Sequence, residues 1–174
     1  MEIRNKRPLY FISGEDFYFI AYSVLLTLDL LGGSLKRIKD HRKIVYLIQF
    51  LSDRRLIDIL DRTQNMRQAN PVDRELLFSS FTNAELHKRE VFKIIFSLRR
   101  RGFVSVERTD TAEVLDVTLE VASLPQGFLK SENFIEERAN AADLKRIVPR
   151  ISALNFDTLL ERLYMDRGVR VWAA

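Results

Sequence analysis

The stretch 82–121 constrains this chain more than any other. It opens on Thr82-Asn83-Ala84-Glu85, where a threonine and a glutamate three residues on can satisfy two orphan backbone donors at a helix start. Val91, Ile94, Ile95 and Leu98 then recur at i, i+3, i+4 and i+7, which lays an apolar stripe along one helix face. The run ends in Arg99, Arg100 and Arg101, followed by Gly102. Cations favour the negative end of the helix dipole, and glycine suits the left-handed residue just past it. Two alternating segments follow, 103–108 and 113–121, split by the polar Thr109-Asp110-Thr111. Val104 and Val106 alternate with Ser105 and Glu107, and Leu115, Val117 and Leu119 alternate with Asp116, Thr118 and Glu120. Each strand can bury one face, so an antiparallel ribbon is expected. Helix, basic end and ribbon together form the pattern of a winged helix, a module that binds DNA or other proteins.

The rest of the chain reads as helical. A basic leader enters Leu9-Tyr10-Phe11-Ile12, a candidate edge strand. Ser13 can cap a helix reaching Leu31, with Glu15 and Asp16 in its first turn. That helix is apolar nearly all round, a property of helices central to a core or an interface. Gly32-Gly33 stops it, and a second helix is expected over 35–52. Its polar face would carry Lys36, Arg37, Lys39, Arg42 and Lys43: a solvated face, or a surface for phosphate or a partner. A short amphipathic helix surrounds Leu56, Ile57 and Leu60, and 64–71 reads as a linker ending in Asn70-Pro71. A short helix over 72–81 would lead to the capping box. Farther on, Asn140 is a candidate cap for a helix over 141–148, which Pro149 ends. Asn155 can cap a last helix bearing Leu159, Leu160, Leu163 and Tyr164, and 169–172 would form a β-like tail. The expected organisation is an N-terminal helical region (1–67), a winged-helix-like unit (71–121) and a C-terminal helical region (122–174). The fold class is mainly α with a small β-ribbon.

Composition narrows function by exclusion. Cysteine is absent, which removes disulfides and thiolate chemistry and suits the cytoplasm. The charged N-terminus lacks a clean apolar core, so no signal peptide is expected. The apolar run 17–28 is too short to span a bilayer. His41 and His87 each lack a second ligand at i+3 or i+4, and no zinc spacing, phosphate loop, dinucleotide pattern or nucleophile elbow occurs. Glu136, Glu137 and Asp143 suit a helix N-terminal region better than a metal site. No enzyme, cofactor or metal is expected.

Charge is uneven along the chain. Residues 1–67 hold 12 basic and 8 acidic side chains, 68–108 hold 8 and 5, and 109–174 hold 8 and 11. Arg99, Arg100, Arg101 and Arg108 are the foremost candidates for nucleic-acid contact, against the alternative that the triplet serves the helix dipole alone. The helix preceding the ribbon offers no Asn or Gln beyond Asn83, so phosphate contact is expected over base reading. The acidic last third, with Leu159, Leu163, Tyr164 and the sole tryptophan, Trp172, is the candidate partner surface.

Several positions together resemble the middle component of bacterial three-component systems built on an ABC/SMC-like ATPase, of the Lamassu type. They are Leu30-Leu31-Gly32-Gly33, the 41–47 segment His-Arg-Lys-Ile-Val-Tyr-Leu, Arg101-Gly102, Leu115-Asp116-Val117, Phe134 with Asn140, the 158–164 segment, and Val171-Trp172. The resemblance implies a non-enzymatic adaptor that binds an SMC/Rad50-like ATPase beside an effector such as a nuclease, in defence against phage or plasmids; the basic cluster adds double-stranded DNA as a further expected contact. It supplies no catalytic residues. A free-standing winged-helix transcriptional regulator is the alternative.

Overall fold

The computed structural model describes residues 14–65 and 68–172. The expected edge strand at 9–12 and the Ser13 cap lie outside them. Among the described residues the chain is mainly helical with one three-stranded antiparallel sheet. Helix α1 (Gly14–Leu31) leads through a tight turn into β1 (Arg37–Ile38), a 3-10 turn (His41–Lys43), α2 (Ile44–Ser52) and α3 (Arg54–Arg62). Helix α4 (Pro71–Arg100) precedes β2 (Val104–Arg108) and β3 (Leu115–Leu119), and α5 (Ile135–Ile147) and α6 (Phe156–Leu163) complete the fold.

The expected ribbon is present. Val104 pairs with Leu119, Val106 with Val117 and Arg108 with Leu115. Arg101 closes α4 and Gly102 follows at φ +78°. The Gly102 N–H donates to Arg99 O and the Phe103 N–H to Leu98 O, at 3.0 Å each. That bond pair is a Schellman ending, which turns the chain straight back into β2. The third strand was not expected: Arg37 and Ile38 pair with Thr118 and Val117, giving the order β1-β3-β2.

Five local expectations are corrected. Thr82 and Glu85 do not start a helix, because α4 runs through them as one 30-residue element. Its cap is Asn70, whose side chain accepts the Asp73 N–H, and Pro71 takes the first position, where no donor is needed. Asn-Pro is therefore a helix start and not a linker. Thr82 Oγ1 is buried without a hydrogen-bond partner among the described residues, and Glu85 accepts the Tyr46 hydroxyl and pairs with Lys88.

The second helix begins at Ile44, not near 35. Lys36 and Asp40 adopt positive φ (51° and 69°), and left-handed residues break a right-handed helix. Asn140 caps nothing. It lies inside α5, 2% exposed, and its amide donates to Leu51 O at 2.9 Å. Finally, 169–172 forms no strand. Asn155 does cap α6, accepting the Thr158 N–H at 2.8 Å.

One buried cluster runs through every helix and the sheet. It joins Leu28 of α1, Phe50 of α2, Ile57 of α3, Phe81 of α4, Leu144 of α5 and Leu159 of α6 with Val117 of β3. Tyr46 and Tyr164 lie at its aromatic centre, with ring centroids 6.3 Å apart and both within 6 Å of Phe81. Their hydroxyls find Glu85 and Ser80, so burial of these polar tips leaves no orphan oxygen. Burial also pushes both phenol pKa values up.

Candidate nucleic-acid and partner interface

The geometry of α4 sets out an exposed cationic surface. Its buried side chains, among them Leu77, Ala84, Val91, Ile94 and Leu98, form one stripe. Arg89, Lys93 and Arg100 lie opposite, in an arc of about 40° at 100° per residue, and are exposed. Lys93 meets Glu90 only at 3.8 Å. Arg89, Arg99, Arg100, Arg101 and Arg108 make no ion pair among the described residues. Exposed cations without local partners are free to neutralise phosphates.

Arg108 does not join the triplet directly. The triplet sits where α4 hands over to β2, whereas Arg108 ends that strand, about 13 Å farther at the usual strand rise. The two groups flank the ribbon from opposite ends.

The five cations expected on one helix face are scattered instead, because 36–43 is a turn, a strand and a 3-10 turn. Lys36 Nζ reaches the carbonyl and carboxylate of Asp29 at 2.8 and 2.9 Å. Arg37 bridges Asp116 at 2.8 Å and Glu107 at 2.9 Å. Arg42 pairs with Asp40 and lies 4.3 Å above the Phe156 ring. Lys43 is buried, donating to Leu154 O at 2.7 Å, and burial lowers its pKa. Lys39 alone stays exposed and unpaired among the described residues. These are structural cations apart from Lys39. Burial works to raise the Asp116 carboxyl, but hydrogen bonds from Arg37 and the Asp40 N–H outweigh it and hold the pKa below its ordinary value.

The expected partner surface divides in the same way. Leu159, Leu163 and Tyr164 are fully buried in the chain's own core, so they are not available to a partner. The apolar periodicity of α6 reflects packing into that core. Trp172 is 55% exposed, with its ring against Phe78 and Phe81 at 5.6 and 4.9 Å.

Other exposed apolar groups escaped the sequence reading. Val72 and Leu86, 74% and 69% exposed, lie on one shoulder of α4, and Phe78 and Phe92 on the other. Reading 71–100 as one helix exposes the signal, since these four fall off the buried stripe. A second patch gathers Tyr22, Phe128 and Phe134, with centroids 5.4 to 6.2 Å apart; exposed Tyr18 lies 6.4 Å from Tyr22, and exposed Ile135 follows Phe134.

His41 lies at the turn end of the ribbon, where β3 begins. Its Nδ1 accepts the Leu115 N–H at 3.2 Å, and its ring lies 5.2 Å from that of Phe92. Accepting at Nδ1 defines the neutral ring with its proton on Nε2. Burial lowers its pKa. With Val45, Phe92 and Phe156 it lines an apolar recess of about 330 Å³.

Among the described residues no three acidic, histidine or cysteine side chains cluster as metal ligands, and no helix is long and apolar enough to cross a membrane. No family model, curated protein or solved structure matches the chain.

Proposed function

We propose that this chain is a winged-helix accessory subunit that binds an SMC-like ATPase in a DNA-sensing antiphage or anti-plasmid complex, beside an effector subunit such as a nuclease. It carries no catalysis of its own in this reading and touches DNA through phosphates. The winged-helix assignment is supported by connectivity: helix, short strand, helices, and a ribbon whose second strand lies between the other two. The observation that carries the functional reading is the solvent face of α4. There, uncompensated arginines run beside large exposed apolar groups, with Trp172 against Phe78. Exposed aromatics in a well-packed molecule mark contact sites, and unpaired cations supply sequence-independent affinity for DNA.

A free-standing DNA-binding regulator is favoured by one observation, the exposed arginine triplet next to the ribbon. The two readings part in one experiment. Co-expression with an SMC-like ATPase from the same genome should yield a complex that Phe78→Ala with Trp172→Ala weakens about tenfold or more. The Arg99→Ala, Arg100→Ala, Arg101→Ala variant should bind duplex DNA more weakly for every sequence. Its log-affinity against log-salt slope should flatten by roughly one unit for each phosphate that is no longer neutralised. Sequence-selective binding by the isolated chain, with no ATPase complex, selects the regulator. A triple variant that binds DNA as well as wild type at low salt removes DNA from either account.

A further inference from the structure

A cleft of about 780 Å³ lies between the end of α3, the α5–α6 connection and the 3-10 turn Met165–Arg167. None of the residues assigned above to DNA or partner contact lines it. Its most unusual wall group is Arg167, only 6% exposed. The Nε of Arg167 donates to Thr63 Oγ1 at 3.1 Å, and one terminal nitrogen donates to the Arg162 carbonyl. Both acceptors are neutral. No carboxylate among the described residues comes within ion-pair distance, since the neighbouring Asp166 turns toward Arg162, at 4.0 Å. A guanidinium has five N–H donors in a planar fork. The second terminal nitrogen of Arg167 therefore has no protein acceptor among the described residues.

Burying a cation costs several kcal/mol unless a counter-charge or strong hydrogen bonds offset it. The carbonyl end of α6 supplies part of that offset through the Arg162 oxygen. An oxyanion in the cleft would supply the rest. Arg162 lines the same cleft and adds a second guanidinium. Ile147, Val148, Leu154 and Met165 give the lining its apolar share, and Thr63, Gln64, Asn65 and Asp166 add polar groups. A cavity within the usual ligand-site range that sets a few charged groups beside apolar surface has the make-up of a small-molecule site.

We infer that this cleft binds a small phosphate ester with a planar or apolar body, about the size of a mononucleotide. The phosphate meets the free edge of Arg167 and the Arg162 fork, and the body lies on the Leu154 and Met165 wall. The site stands whether or not the chain serves an ATPase.

Calorimetric titration of the full chain tests it with four probes. AMP carries both phosphate and body, inorganic phosphate only the anion, adenosine only the body, and benzoate a carboxylate on a planar ring. AMP should bind saturably, inorganic phosphate more weakly, and adenosine at least about tenfold more weakly than AMP. Arg167→Lys keeps the charge but loses the fork, and should weaken AMP by about tenfold. Arg162→Gln at the mouth and Met165→Trp, which fills the cleft from an exposed position, should each weaken AMP severalfold. If the Arg167 variant does not fold, these two decide alone. The inference fails if neither phosphate nor AMP gives saturable heat by about 10 mM, if adenosine matches AMP, or if both mouth variants bind AMP as wild type does. Tighter binding of benzoate than AMP overturns the phosphate assignment.

Discussion

His41 is the side chain whose protonation state most directly bears on the ribbon. Its Nδ1 accepts the Leu115 N–H, so β3 is pinned at its first residue to the turn preceding α2. Charging the ring puts a proton on that nitrogen and removes the acceptor. The groups around it pull both ways: burial and Arg42 lower its pKa, and Asp40 raises it. The net folded value lies below the ordinary 6.5. Above 6.5 the ring is neutral in both folded and unfolded chains, and the contribution to stability is complete. As pH falls through the lowered folded value, the unfolded chain takes up its proton first, and the contribution is lost. Asp116 acts in the same direction farther down, below its ordinary 3.8, because its folded pKa is also depressed. The melting temperature should therefore fall between about pH 7 and pH 5. His41→Asn keeps an acceptor near the Nδ1 position and should flatten that slope relative to wild type. Equal slopes in the two proteins would show that His41 stays uncharged, or contributes nothing, in this range.

At the scale of elements, the passage from α1 into β1 is the tightest joint. A Cβ on Gly32 would meet Leu28 O at 2.3 Å and Arg37 N at 2.7 Å, both backbone atoms. The Gly32 carbonyl also accepts the Arg37 N–H at 2.9 Å. Gly32→Ala should cost about 3 kcal/mol, since no side-chain rearrangement relieves a clash with main chain. Gly102 has positive φ but open space around it, and Gly102→Ala should cost only about 1–2 kcal/mol. Urea denaturation of both variants checks the order. Gly32-Gly33 was legible as a helix stop, yet nothing in the local pattern announced the strand behind it. A two-residue strand has too few positions for alternation to show, and β1 exists because β3, roughly 80 residues later at the usual reach of a long-range pairing, offers it a free edge. The ribbon and the Schellman ending of α4 were legible because their determinants are local: alternation, a basic turn and one glycine. The beginning of α4 was misread for a related reason. Thr82 and Glu85 have the right spacing for a capping box, but Glu85 is taken by Tyr46 and Lys88, partners fixed by tertiary packing and salt-bridge geometry. The cationic segment 36–43 failed as a site because ion pairing with Asp29, Asp40, Glu107 and Asp116 is invisible to periodicity. The Arg99–101 cluster was readable, since exposure at a helix end needs no distant partner.

Across the whole molecule, α4 is about 45 Å long at 1.5 Å per residue, comparable to the diameter expected for a compact chain of this length. Every other helix and the sheet contribute to the same buried cluster, and α5 is tied to α3 by Arg54 with Asp143 and by Arg146 with Asp61. Thermal or urea unfolding should accordingly give one transition, with far-UV circular dichroism and Trp172 fluorescence coincident. A separate early transition in the far-UV signal would identify a segment that folds by itself. The same connectivity governs the chain during synthesis. Seven of the nine residues of α2 are buried, but the helices that cover them include α4, α5 and α6, so cover is complete only after Leu163 has been made. At 5–20 residues per second this interval is roughly 6–24 s. Until then, Ile44, Val45, Leu47 and Phe50 of a ribosome-bound chain lack part of their final cover. Holding that segment until its own C-terminus arrives is the kind of work a chaperone does at the exit tunnel.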